Sequence, residues 1–367
     1  MRAISSAPRP RPQRSRSPTR AAKSARSERT GGDLAHQGRG RITRGGLDCI
    51  AGSRVVEVAP SGGMAVEANR EMTERVRALA ARFENVPYNR RLGLRVEAGS
   101  ADGVRIRVPY KDENSNPGRA LHGGVPASAI DIAGTLAAWA GLEDRPGLRS
   151  GTLDLSVDYL AAAIGEDIVA EARVLRRGKE IVYADVDVAN DAGKRLAKGL
   201  VTHRVIDLAA HPGWDARQLA RAPDLPARTP ADVPPLARGL VSVPFIARLG
   251  MVIDEMADGT ATVRMPFRED NADGDGAVHE GALAALLDTT GAMASWSIVG
   301  LDLRHKASTV GVHLSYPGRA VREDVSASGR TLRRDNEIFL NTVTIVGVSS
   351  GQVVATGSVT YRIVVSA

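Results

Sequence analysis

Two stretches of the chain are apolar almost without interruption, and each holds one acidic residue. Residues 125–140 read VPASAIDIAGTLAAWA, with Asp131 among Val, Ala, Ile, Leu and Trp. Residues 282–296 read ALAALLDTTGAMASW, with Asp288 in the matching place. A run of this length without a polar stripe predicts a helix buried on all sides. Around each run the pattern changes to alternation. Residues 92–110, LGLRVEAGSADGVRIRVPY, predict a strand pair about a Gly-containing turn. TLDLSVDYL, residues 152–160, predicts a single strand. Residues 167–206 predict a three-strand meander with turns at Gly178-Lys179 and Asp191-Ala192-Gly193. One helix and about five antiparallel strands bury that helix only if the sheet curls over it, so the predicted class is α+β. Ahead of this, residues 66–84 place Met72, Val76, Leu79 and Phe83 at helical spacing, a face expected to pack on the first domain.

The chain matches itself when shifted by 157 residues. His122 then falls on His279, Gly124 on Gly281, Asp131 on Asp288, Gly134 on Gly291 and Trp139 on Trp296. Thr152 meets Thr309, Tyr159 meets Tyr316, and Leu175-Arg176-Arg177 meets Leu332-Arg333-Arg334. After a slip of one residue, Gly199 meets Gly357. A period this long means a duplicated domain rather than a solenoid. The expected organisation is a tail over residues 1–63, a leading helix and first domain over 64–206, a Pro- and Ala-rich linker over 207–238 with one short helix at most, and a second domain over 239–367.

Charge is uneven. The formal net charge is +7, yet residues 1–63 carry 13 Lys/Arg against 4 Asp/Glu, leaving 36 against 38 for the rest. The body is near neutral, which argues against a nucleic-acid partner. The tail is rich in Arg, Ser, Pro and Gly and is expected to be disordered. It reads as a mis-assigned start before Met64, as a solvated tail, or as a transit peptide or polyanion-binding arm. The single cysteine, Cys49, allows no disulfide within the chain. No uncharged apolar run reaches ~18 residues, so no membrane span is expected. A cytoplasmic setting without a membrane partner is the default expectation.

A lone carboxylate in an apolar helix is costly unless paired, hydrated or protonated. Asp131 therefore reads either as a partner of a neighbouring loop or of a Ser or Thr, or as a base or nucleophile in a desolvated site. Gly123 stands where the helix begins, with Pro126 in its first turn. Backbone N–H groups at a helix N-terminus stabilise a developing oxyanion. His122 reads as a loop-bonding or a site-ordering residue, and Thr152 as an ordinary strand residue or a carboxylate partner. No phosphate-cradling Gly-rich loop and no metal cluster is evident, so neither metal nor cofactor is expected.

The pattern N-x5-H-G-G-x6-D, from Asn116 through His122 to Asp131, resembles the hotdog-fold acyl-CoA thioesterases, in the branch of the phenylacetyl-CoA-pathway, 4-hydroxybenzoyl-CoA and mammalian thioesterase-superfamily enzymes. The resemblance covers roughly residues 86–206 and 243–365. It implies one long helix wrapped by a curved antiparallel sheet in each copy, with the copies forming an intramolecular pair and the sites at their interface. It implies an acyl-CoA substrate, hydrolysis to free acid and CoA, and assembly into a homodimer of double hotdogs. By that pattern a first site combines Asn116, His122 and Gly123 with Asp288 and Thr309. A second combines His279 and Glu280 with Asp131 and Thr152. The second departs from the pattern, with Asp273 for the Asn and Glu280 for the Gly. The first is therefore expected to be the more active, and the second weakened, altered in specificity or kept for stability. Arg176, Arg177, Arg333 and Arg334, near strand ends, read as donors to the CoA phosphates or as solvated surface residues. A catalytically silent acyl-CoA-binding or regulatory module is the alternative. A hotdog hydratase or dehydratase fits less well, because here the His precedes the Asp by nine residues.

Overall fold

Each long helix is held by its own half of one continuous sheet, and the two halves meet edge to edge. The computed structural model describes residues 71–143, 145–207, 233–240, 242–302 and 304–365. The tail with Cys49, the start at Met64 and most of the expected linker lie outside the described residues.

Thr73 accepts the N–H of Val76 at 3.3 Å and opens α1 (Glu74–Glu84). An N-cap hydroxyl satisfies one of the first-turn donors that the helix itself cannot. The face of Met72, Val76, Leu79 and Phe83 packs on the core, as the spacing predicts. Residues 87–92 correct the sequence reading, which began a strand at Leu92. Pro87 sits at the first helical position and Gly93 closes the turn at φ 83°, so α2 (Pro87–Leu92) forms instead. The first half continues with β1 (Arg95–Ser100), β2 (Gly103–Val108), a 3-10 turn (Asp112–Asn114), α3 (Gly124–Ala140), β3 (Leu148–Tyr159), β4 (Ile168–Arg177), β5 (Ile181–Ala189) and β6 (Arg195–Asp207).

The second half repeats the order. It comprises α4 (Pro235–Leu240), α5 (Pro244–Leu249), β7 (Val252–Ala257), β8 (Thr260–Met265), a 3-10 turn (Glu269–Asn271), α6 (Glu280–Val299), β9 (Lys306–Ser315), β10 (Val325–Asp335), β11 (Ile338–Gly347) and β12 (Val353–Val364). Among the described residues each half has six strands rather than about five, and α4 straddles position 238.

The strands form one antiparallel sheet in the order β1-β2-β4-β5-β6-β3-β9-β12-β11-β10-β8-β7. The fold is α+β, with two hotdog units as expected. β3 pairs with β9 from Asp154↔Ser315 to Asp158↔Gly311, centred on Ser156↔His313. Those two central residues are equivalent under the 157-residue shift. The join is therefore self-complementary, as an isologous dimer interface is, although both sides belong to one chain.

α3 and α6 lie inside the curl. Ile130, Ile132 and Leu136 are at most 2% exposed, and full burial of such a side chain contributes about 1.5–3 kcal/mol. The helices approach closely through glycine. A Cβ on Gly124 would lie 2.5 Å from Ala285 Cβ, and one on Gly281 would lie 2.5 Å from Ser128 Oγ. α6 is long and apolar enough to cross a membrane by length and composition alone. However, 83% of its apolar window is buried inside the fold, so its apolarity is accounted for by the core.

Candidate active site

The start of each long helix faces the middle of the other. Gly123 is the N-cap of α3, and a Cβ built there would lie 2.7 Å from Asp288 Oδ2 on α6. Only glycine leaves room for the carboxylate at this approach. Asp288 is 4% exposed, and its Oδ1 accepts the Thr309 hydroxyl at 2.6 Å. Burial pushes the Asp288 carboxyl up from 3.8 to about 6, against the opposing pull of the Thr309 bond. Among the described residues nothing accepts the Gly123 N–H. Its neighbours are engaged: Gly124 N–H donates to His122 Nδ1 at 3.0 Å, and Val125 N–H to His122 O at 2.9 Å.

The bond to Nδ1 sets the histidine tautomer. His122 accepts at Nδ1, so its proton is on Nε2, 3.5 Å from the Thr289 hydroxyl of the other half. The ring stacks on Phe245 at 4.8 Å. Burial holds His122 down to about 4, so it is neutral at neutral pH. His279 repeats the arrangement. Its Nδ1 takes the Gly281 N–H at 2.9 Å, its ring stacks on Tyr88 at 4.5 Å, and burial lowers it to about 3. Both histidines are built to orient and donate rather than to shuttle protons. Asn116 lies half-buried in the loop before α3, its N–H donating to Ala120 O at 2.7 Å.

The second constellation opens on a cleft of 540 Å3 lined by Asp131, Thr152, His279 and Glu280. Asp131, 2% exposed, accepts the Thr152 hydroxyl at 2.6 Å. The Thr partner thus belongs to the same half as the Asp. Sequence reasoning missed the rest of this wall. Thr135 Oγ1 lies 3.4 Å from Thr152 Oγ1 and 3.3 Å from His203 Nδ1, extending a polar chain inward from Asp131. Arg319 donates to Asp273 at 2.6 Å and to Asp275 at 2.7 Å. A signal for these residues was available. Under the repeat, Thr135 falls on Ala292, Asp275 on Gly118 and Arg319 on Ala162. The copies differ by gain of polarity at the positions that line this cleft.

Asp131, His279 and Glu280 each bring one ligand-type atom within 4.8 Å of the other two. They do not fit a metal well. His279 Nδ1 is taken by the Gly281 N–H and Nε2 carries the proton, so the ring has no free lone pair.

The four arginines are not brought to the cleft. Arg177 donates to Ala138 O at 2.6 Å, Ala137 O at 3.2 Å and Ala101 O at 3.1 Å, closing the C-terminal turn of α3. Carbonyls at a helix end attract a cation strongly, and here they engage the guanidinium. Arg176 is exposed beside the Gly178 turn. Arg333 pairs with Asp335 at 3.4 Å, and Arg334 lies 5.2 Å over the Phe339 ring.

Comparison with known proteins agrees with this architecture. Residues 118–197 match the family model of the thioesterase superfamily. The chain is 34% identical over 115 residues to acyl-coenzyme A thioesterase 13 of Homo sapiens, covering 30% of this chain and 80% of that protein. It is 32% identical over 136 residues to the medium/long-chain acyl-CoA thioesterase YigI of Escherichia coli K12, covering 33% of this chain and 86% of that one. Among solved structures, a hot dog fold protein of Alicyclobacillus acidocaldarius superposes with a TM-score of 0.54 at 18% identity, over 78% of this chain and 98% of that one. The tesB protein of Mycobacterium avium subs paratuberculosis gives 0.53 at 15% identity, over 79% and 100%. These two likenesses bear on the fold and extend across both halves. The human and Escherichia coli relatives, each matched above 30% identity over most of its length, place the chain in the hotdog-fold thioesterase superfamily, as a thioester hydrolase with two hotdog units in one polypeptide.

Proposed function

We propose that the chain hydrolyses an acyl-CoA thioester to the free acid and CoA, with its principal site at Gly123 and Asp288. The observation that carries this is the placement of the buried Asp288 carboxylate against the open N–H at the start of α3. The names of the human and Escherichia coli relatives support the substrate class. In this reading the thioester oxygen accepts the Gly123 N–H, where the positive end of the helix dipole stabilises developing negative charge. Thr309 holds Oδ1 of Asp288, leaving Oδ2 to take the proton of an attacking water. Neutral His122 fixes the turn that presents the N–H. A metal or redox cofactor has no part in the proposed reaction. The setting proposed is cytoplasmic.

Thiol release from a panel of acyl-CoAs tests the reading. Asp288→Asn is expected to remove the larger share of turnover and Asp131→Asn the smaller. The opposite ranking would move the principal site to the second cleft. Binding without release by the wild type would leave an acyl-CoA-binding module instead. The acid side of the pH profile gives a second check. Activity needs the Asp288 carboxylate, and its ionisation lies near pH 6, so kcat/KM should fall below about pH 6.

Arg177→Met separates capping from phosphate binding. Loss of three backbone-carbonyl bonds should cost about 1–2 kcal/mol in urea unfolding, with the acyl-CoA KM unchanged. A raised KM at unchanged stability would return Arg177 to the phosphates. We also propose a homodimer, because Tyr183, Leu200, Val310 and Leu340 stay exposed on strands of the outer sheet face. Sedimentation of a monomer at micromolar concentration would refute it.

A further inference from the structure

The second site differs from the first at the atom nearest the proposed chemistry. Glu280 stands where the first site has Gly123. Its carboxyl lies by the N–H of its own residue at the start of α6, the group that Gly123 leaves open. From there the side chain reaches the other half. A Cβ on Gly151 of β3 would lie 3.9 Å from Glu280 Oε1. One carboxyl oxygen each of Glu280 and Asp131, together with a ring nitrogen of His279, lie within 4.8 Å of one another. Two carboxyls from opposite halves therefore face each other across a cleft of 540 Å3.

Carboxyls this close do not readily both ionise. The surrounding groups decide which keeps the proton. Asp131 faces Glu280 from α3, Asp273 and Asp275 from the loop before α6, and Arg319 from the loop after β9. Arg319 is engaged by Asp273 and Asp275. His279 is neutral, and the Tyr316 hydroxyl donates to Glu280 O at 3.2 Å. Burial, then Asp131 and Asp273, push Glu280 up to about 8. Asp131 rises only to about 6, since Thr152 donates to its charged form. Glu280 therefore keeps the proton at neutral pH. A protonated carboxyl accepts with one oxygen and donates with the other. Protonated Glu280 thus offers a donor at the start of α6, facing the cleft.

We propose that Glu280 is a catalytic residue of the second site, an acid that protonates the thioester carbonyl oxygen while Asp131 takes a proton from the attacking water. The inference rests on the thioesterase reading above. In the first step the water oxygen bonds to the thioester carbon, Asp131 gains one water proton, and Glu280 passes its proton to the carbonyl oxygen. In the second, that oxygen returns its proton to Glu280 as the C=O bond re-forms. The C–S bond breaks and the sulfur takes the proton held by Asp131. The products are one carboxylic acid and one thiol, and both side chains end as they began.

The test is made in the full chain carrying Asp288→Asn, which silences the first site. Thiol release should persist, with a bell-shaped pH profile limited by Asp131 on the acid side and Glu280 on the alkaline side. Adding Glu280→Gln should lower kcat about 10²-fold, the low end for loss of a general acid, and remove the alkaline limb at little change in KM. Thermal unfolding of each variant confirms folding. Equal or greater turnover with Glu280→Gly in the same background would overturn the proposal, because Glu280 would then be an obstacle at the helix end. An active wild type with a silent Asp288→Asn variant would overturn it while leaving the thioesterase reading intact. A wild type that releases no thiol would remove both.

Discussion

The double variant Asp288→Asn/Asp131→Asn loses thiol release by about 10³-fold, within the 10²–10⁴-fold range for removal of a positioned acid–base group. The size follows from geometry. Each site holds its carboxylate in a buried place with one oxygen bound by a threonine, Thr309 or Thr152. Asparagine keeps the shape and still accepts from that threonine, but it cannot take a proton from water. The loss should appear in kcat with the fold intact, because neither carboxylate makes an ion pair with a described residue. Retention of more than about a tenth of wild-type turnover would place the proton-accepting group elsewhere.

Asp288→Asn should also stabilise the protein at neutral pH. The folded chain raises the Asp288 carboxyl from 3.8 to about 6, because burial disfavours its charge. A group raised on folding contributes full stability below its unfolded value, and that contribution is lost as pH rises through the folded value. At about 1.36 kcal/mol per pKa unit, the ionised carboxylate costs ~3 kcal/mol above pH 6. Asparagine carries no such penalty. Urea unfolding should therefore show the variant ahead by up to ~3 kcal/mol at pH 7, with the gap closing by about pH 4. A gap independent of pH would mean that packing, not charge, separates the two proteins. Opposite effects of one substitution on activity and stability are what a carboxylate kept in an apolar helix for its chemistry predicts.

The opposing half of each site was legible through the family resemblance and not through patterning. That Asp131 and Asp288 are each bound by a threonine follows locally from strand and helix facing within one half. Which residues oppose them depends on β3 joining β9, a contact across 157 residues of chain. The role of Arg177 illustrates the same limit. Beside a turn it reads as a free cation, while its partners Ala137 and Ala138 lie some forty residues away in α3.

Periodicity alone determined the duplicated α+β organisation, because a helix apolar on all sides has to be wrapped and alternating strands are what wrap it. The repeat determined the pairing of equivalent residues, and with it the candidates His122, Gly123, Asp131 and their counterparts. Short elements escaped it. α2 and α5 are six residues each and depend on a Pro at one end and a left-handed Gly at the other rather than on any period. Tertiary structure alone decided that the halves share one sheet, that Glu280 meets Asp131 across the two halves, and that Thr135 and His203 extend the wall behind Asp131. The physical reason is distance along the chain. Patterning reports which face of an element is buried, but the identity of the group that meets a buried side chain is set by long-range packing.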